Sequence, residues 1–321
     1  MCKLAIIPFI PKGAENKVFK LSHELTKLMC ANDQDGFGYM ALGDKGLFGE
    51  RWLDPKHAWE VPSLHNNLSQ YALCLDTPGT GSYNKFGDKT NRLYSIALHA
   101  RMSTCDVSLD NVHPFINESG RIGIVHNGVI TNANQYKPRL STCDSESILH
   151  QYEKHSVSNN FDSLQNAVDG LDGWFAVAAY TRNVNNVWHL DIFKESKANL
   201  FMCNVDDIGP IFITAPHHLI NACAKLKMKH SPLIKVSNNV AIRHDAMTGK
   251  VIDIMDIIPS NTKITPYNKN DWSYPPSSYR EGDQDNPEKF IDDELDESDD
   301  DMLDVVDFMR NPHGVHVKKG A

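Results

Sequence analysis

Cys2 becomes an uncommon reagent once Met1 is removed, and a small second residue permits that removal. The freed α-amine titrates at about 7.7–8.0, close to the ~8.5 of a thiol, so one residue supplies nucleophile and base together. Lys3 and the strand-like Leu4 to Phe9 would hold that terminus at the end of a sheet. Position alone is weak support, and the segments downstream decide what the thiol does.

Those segments are Asp35-Gly36-Phe37-Gly38, His99 to Thr104 with Asn111 to Phe115, Val125 to Ile130, and Asp144-Ser145-Glu146. In this order behind Met-Cys they resemble class II glutamine amidotransferases, members of the N-terminal-nucleophile hydrolases. Leu171 to Ala176 is similar to the last core strand of that family, and the resemblance covers roughly residues 2 to 215. Each motif alone is weak, but five in order around an N-terminal cysteine are specific. The implied fold is α+β, a four-layer α/β/β/α sandwich with two stacked, mainly antiparallel sheets.

Free glutamine presents a carboxylate, an ammonium and a carboxamide, and a selective site must engage all three. By resemblance Arg101 clamps the carboxylate, where a planar guanidinium gives two parallel bonds. Thr104 joins it in binding substrate, and Asp144 holds the ammonium. The Asn127 side chain and the Gly128 N–H form the oxyanion hole, each donor lowering the barrier by about 2.7–4 kcal/mol. Cys2 then forms a γ-glutamyl thioester, ammonia leaves, and water releases glutamate. His99, His113 and His126 are assigned to scaffolding, because the mechanism already has its base. The bland alternatives are a structural Arg101–Asp144 ion pair, core histidines, and a hairpin turn at Asn127-Gly128. The chain departs from the family at Met102 and Cys105, where an aromatic and a histidine are usual, so packing over the substrate is expected to differ.

Elements able to carry these residues are legible as apolar runs between turn residues. Strands are expected at Leu4 to Phe9, Gly38 to Leu42, Tyr71 to Leu75, Leu93 to Leu98, Gly123 to Val125, Trp174 to Tyr180, Val187 to Phe193, Leu200 to Cys203 and Ile211 to Thr214. Helical patterns fall at Glu15 to Ala31, Ser145 to His155 and Ser163 to Leu171. Helices precede and interrupt the strands without alternating one for one, which favours an α+β layered fold over a doubly wound sheet.

Other motifs fail on register. A phosphate loop near Gly79 to Thr90 would place Asp88 where an anion should bind. A calcium loop around Gly36 would put Ala31 and Leu42 at ligand positions, leaving a helix-to-strand turn. His217-His218 lacks a third ligand and is expected in a solvent-facing turn. No cofactor or metal is expected. The seven cysteines are odd in number and scattered without a C-x-x-C pair, which argues against a disulfide framework and a zinc cluster.

The domain is expected at 1–258, with a linker and acidic disordered tail at 259–321. Between Glu281 and Asp307 stand 14 carboxylates against one Lys, a local charge of −13 within a total of −9, which leaves the remainder near +4. Basic residues are dispersed, so no nucleic-acid groove is read. No apolar run nears the roughly 18 residues that span a bilayer, and a cytoplasmic location is expected. With only about 60 residues beyond the glutaminase, no acceptor domain is read. A separate ammonia-accepting synthase, or a partner docked on the 280–310 tail through Met302 to Met309, would receive the ammonia. Two readings stay open beside glutaminase: a γ-glutamyl peptide or N-acyl amide hydrolase of the same fold, and a non-catalytic partner-binding module.

Overall fold

The computed structural model describes residues 2–31, 35–55, 92–102, 106–136, 141–155 and 162–257. Its first sheet joins β1 (Lys3–Ile7), β2 (Gly36–Gly43), β3 (Gly46–Trp52), β4 (Leu93–Arg101), β9 (Phe201–Val205), β10 (Gly209–Ile213) and β11 (Ile234–Lys235) in the order β11-β9-β10-β1-β4-β2-β3. The second joins β5 (Phe115–Ile116), β6 (Ile122–Ile130), β7 (Gly173–Arg182), β8 (Trp188–Lys194), β12 (Val240–Asp245) and β13 (Val251–Asp256) in the order β13-β12-β8-β7-β6-β5. Every described pairing is antiparallel.

The central strands, such as β1, β4 and β7, read as nearly unbroken apolar runs because both faces are covered. In β1, Leu4 and Ile6 point into a core shared with Val125, Ala176 and Ile192 of the second sheet. Ala5 and Ile7 point the other way, toward Val18, Leu21 and Leu25 of α1 (Glu15–Met29) and Leu219 and Ala222 of α4 (Pro216–Leu226). Behind the second sheet, Ile124, Val177 and Phe193 pack on Ile148 and Tyr152 of α2 (Glu146–His155) and Leu164 of α3 (Asp162–Val168). The order is therefore helices, sheet, sheet, helices. Each fully buried Leu or Ile contributes about 1.5–3 kcal/mol to this arrangement.

Local chemistry sets the ends of the elements. Pro8 has no N–H for a ladder and stops β1 at Ile7, short of the expected Phe9. In α1 the buried Val18, Ser22, Leu25 and Met29 recur at helical spacing, and the helix ends before Cys30. Pro216 occupies the first turn of α4, which terminates at Lys227 in the left-handed region. The expected turn at His217-His218 is therefore a helical turn, and His218 is buried rather than solvent-facing. Leu219, Ala222 and Cys223 supply the buried stripe that holds this segment helical. The expected strand at Tyr71 to Leu75 and the whole 259–321 tail lie outside the described residues.

Candidate active site

The site forms where β1 and β4 end side by side, facing the second sheet. Lys3 pairs with Ala100, so Cys2 stands one step further, beside the end of β4 at Arg101. Side chains alternate along a strand, which puts Cys2 on the same face as Leu4 and Ile6, toward the space between the sheets. The Cys2 Sγ accepts the Met102 N–H at 3.2 Å and donates to the Met102 carbonyl at 3.3 Å. Burial pushes the thiol pKa up. The Met102 N–H and the Arg101 guanidinium pull it back, while Asp144 raises it further. Arg101 and Asp144 thus both lie within electrostatic reach of the same sulfur.

Arg101 is buried, and its Nη2 donates to the Asp106 carbonyl at 3.1 Å. The Asp35 N–H bonds the Arg101 carbonyl at 2.9 Å, and Gly36 is its cross-strand partner, so the Asp35 to Gly38 segment braces the end of β4. At Gly38 a Cβ would lie 1.9 Å from the His113 carbonyl oxygen, so only glycine lets β2 approach that segment.

The second sheet contributes β6. Asn127 shares its face with Val125, toward the first sheet, and its Oδ1 is buried with no hydrogen-bond partner among the described residues. Gly128 follows at φ +144°, and a Cβ there would meet the Trp174 carbonyl at 2.0 Å. That backbone is closed to other residues. Asp144 precedes α2, and its Oδ2 accepts the Ile130 N–H at 2.5 Å. Ser145 Oγ lies 2.7 Å from His126 Nδ1, a second tie between this loop and β6.

Three histidines sit behind these groups. The ring centroids of His99 and His113 are 4.1 Å apart, and those of His113 and His126 are 6.2 Å apart. Burial holds all three below their ordinary pKa, His99 at about 3, so they are neutral at pH 7. Among the described residues no group of three or more His, Cys, Asp or Glu side chains is arranged to hold a metal, and no described helix is long and apolar enough to cross a membrane.

The structure thus sets Cys2 beside Arg101 at the end of β4, with Asp144 near enough to act on the same thiol, and carries Asn127 and Gly128 on β6 of the second sheet. Thr104 lies outside the described residues. Sequence reasoning passed over the Met102 backbone, the Asp106 carbonyl and the Asn111 side chain. Asn111 stood inside a quoted motif, but nothing in its residue type reveals what it holds.

Residues 99–193 match the family model described as a glutamine amidotransferase domain, a span that contains Arg101, Asn127, Gly128 and Asp144. The chain is 25% identical over 162 residues to a glutamine–fructose-6-phosphate aminotransferase of Methanocaldococcus jannaschii, covering 46% of this chain and 14% of that protein. It is 32% identical over 94 residues to the glutamine-hydrolysing asparagine synthetase 2 of Bacillus subtilis, covering 27% and 11%. Among solved structures, the glutamine phosphoribosylpyrophosphate amidotransferase of B. subtilis aligns at TM-score 0.50 and 15% identity, over 80% of this chain and 49% of that one. An allosteric regulatory enzyme of purine biosynthesis aligns at TM-score 0.54 and 15% identity over the same shares. These structures share the two-sheet fold. The chain spans about half the length of each of these solved structures and less than a fifth of each of these two curated relatives.

Proposed function

We propose, from the premise that this chain carries a class II glutamine amidotransferase domain, that it releases ammonia from glutamine through a thioester on Cys2. The supporting observation is that Cys2 stands beside Arg101 at the end of β4, its Sγ bonded to the Met102 N–H at 3.2 Å, with the Asp144 carboxylate near enough to act on the same thiol, so that a guanidinium and a carboxylate, the pair an amino-acid head requires, flank one nucleophile. Arg101 takes the α-carboxylate and Asp144 the α-ammonium, which directs the side-chain amide toward Sγ. The Asn127 side chain points toward the first sheet and Gly128 follows it on β6, and both are assigned to the oxyanion.

In this reading Met1 is removed and the free amine of Cys2 takes the thiol proton as sulfur attacks the amide carbon. The Met102 N–H, already on Sγ at 3.2 Å, stabilises the thiolate before attack. The tetrahedral adduct collapses with cleavage of the C–N bond, and the amine returns its proton so that ammonia departs. Water, deprotonated by the same amine, then cleaves the C–S bond. The balance is glutamine and water to glutamate and ammonia, with the thiol restored. The buried, neutral histidines carry no proton in this scheme.

The acceptor of the ammonia is placed outside residues 2–257, on a separate synthase or a partner docked through the 280–310 tail. A cytoplasmic location accords with the free thiols at Cys2, Cys30, Cys143, Cys203 and Cys223. The test is release of glutamate and ammonia from glutamine, with γ-glutamyl dipeptides run alongside and Cys2→Ala as control. Turnover of the dipeptides alone would replace the substrate, and turnover by the Cys2→Ala protein would remove the mechanism.

A further inference from the structure

The segment between β4 and α2 contains a buried carboxamide that the chemistry above leaves without a task. Asn111 ends a short 3-10 turn, Leu109–Asn111, and is 1% exposed. Its Nδ2 donates to the Asp106 carbonyl at 2.8 Å and to Thr142 Oγ1 at 2.7 Å, and its Oδ1 accepts the Thr142 N–H at 3.0 Å. Only this orientation of the amide satisfies a carbonyl on one side and an N–H on the other. The same Asp106 carbonyl accepts Nη2 of Arg101, and Thr142 stands two residues before Asp144. One chain of bonds therefore runs from the guanidinium through Asp106, Asn111 and Thr142 to the loop that carries the carboxylate.

We infer that Asn111 is a positioning residue that fixes the separation of Arg101 and Asp144, and so sets the affinity for the amino-acid head of the substrate. The inference rests on the function proposed above. Asn111 has both amide hydrogens and its oxygen engaged within the protein, so it acts through the two charged residues. Arg101 ends β4 of the first sheet, whereas Asp144 lies in the loop before α2, tied to β6 of the second sheet. Each is anchored locally, Arg101 on β4 and Asp144 on the Ile130 N–H, but among the described hydrogen bonds Asn111 ties the Asp106 carbonyl to the 141–144 loop. A two-point clamp gains its binding from holding both points at once, so displacement of either one weakens it.

The full-length chain, with its native amino terminus, supports a direct test. Asn111→Ala is expected to raise KM for glutamine by about 10–30-fold with kcat changed less than about threefold. Asn111→Asp keeps an acceptor for the Thr142 N–H but turns a carboxylate on the Asp106 carbonyl, and it should restore only part of the loss. Two electrophiles separate positioning from general damage. Iodoacetamide, which lacks an amino-acid head, should alkylate Cys2 at the parental rate in both variants. 6-Diazo-5-oxo-L-norleucine, which carries that head, should label Cys2 at least about tenfold more slowly. Thr142 is exposed, so Thr142→Val removes only Oγ1 and should show the same split at about threefold even where the Asn111 variants fold poorly. An unchanged KM in a folded Asn111 variant, or equal slowing of both reagents in Thr142→Val, overturns the inference. A parent that releases no glutamate and shows no preference for the glutamine-shaped reagent overturns the proposed function, and this inference with it, before any variant is compared.

Discussion

Asp144 Oδ2 accepts the backbone N–H of Ile130 at 2.5 Å, stitching the loop before α2 to the end of β6. The same carboxylate raises the pKa of the Cys2 thiol. Asp144→Asn keeps a carbonyl oxygen for Ile130 and removes the charge. Loss of a negative neighbour favours the thiolate, so the Cys2 pKa falls and the midpoint of its alkylation by iodoacetamide moves to lower pH. Glutamine KM should rise about tenfold, or ~1.4 kcal/mol, because the ammonium loses its partner. An unmoved alkylation profile would separate Asp144 from the thiol.

Arg101→Lys gives the complementary result. The positive charge stays, so the alkylation profile should stay near that of the parent. The fork geometry is lost, together with the bond from Nη2 to the Asp106 carbonyl, and KM should rise about tenfold with a smaller effect on kcat. Steady-state kinetics check this, and an unchanged KM would assign Arg101 to structure alone.

The strands that carry most of the candidate residues were legible because their apolar runs are continuous. Leu4 to Ile7, Leu93 to Ala100 and Phe175 to Tyr180 are covered on both faces and announce themselves by composition. Two kinds of feature were not legible. The edge strands β3 and β13 carry mixed burial, so their pattern is diluted; β12 is buried almost throughout, but Arg243 and His244 interrupt its apolar run; α4 was hidden by a His-His pair that reads as polar. Long-range pairing was also unreadable. That β1 lies between β4 and β10, about 90 and 200 residues away, follows from closure of the sheet and not from local spacing. The partners of Asn111 belong to the same class, since hydrogen bonds across 31 residues leave no local trace.

The second sheet contains a buried ion pair whose removal should be costly. Arg243 Nε and Nη2 reach Asp191 Oδ1 and Oδ2 at 2.6 and 2.8 Å, and Tyr152 Oη lies 3.4 Å from Oδ2. Asp191 is fully buried. Arg243→Met leaves that carboxylate uncompensated and should destabilise the fold by about 3–5 kcal/mol. The double variant Asp191→Leu, Arg243→Met removes both charges and should recover most of the loss. Chemical unfolding of the three proteins decides it, and additive losses would show that the pair does not act as a unit.

Acid stability should report the buried histidines. Burial lowers His99 to about 3 and His244 to about 4, and it lowers His113 and His126 as well. For each, the folded pKa lies below the unfolded value of ~6.5, so below that pH the unfolded chain binds the additional proton. The stabilisation is complete above about 6.5 and is lost as pH falls toward the folded pKa, with a slope approaching about 1.4 kcal/mol per pH unit for each histidine. His244 offers the cleanest probe. Its ring is fully buried and lies edge-on to Phe212 at 6.1 Å between centroids. His244→Phe preserves an aromatic contact and removes the titrating group. Between pH 6.5 and 4 the parent should lose stability steeply, and the variant should lose it with a slope lower by about one proton. Equilibrium unfolding at a series of pH values measures both slopes, and identical slopes would mean that His244 keeps its ordinary pKa in the folded protein.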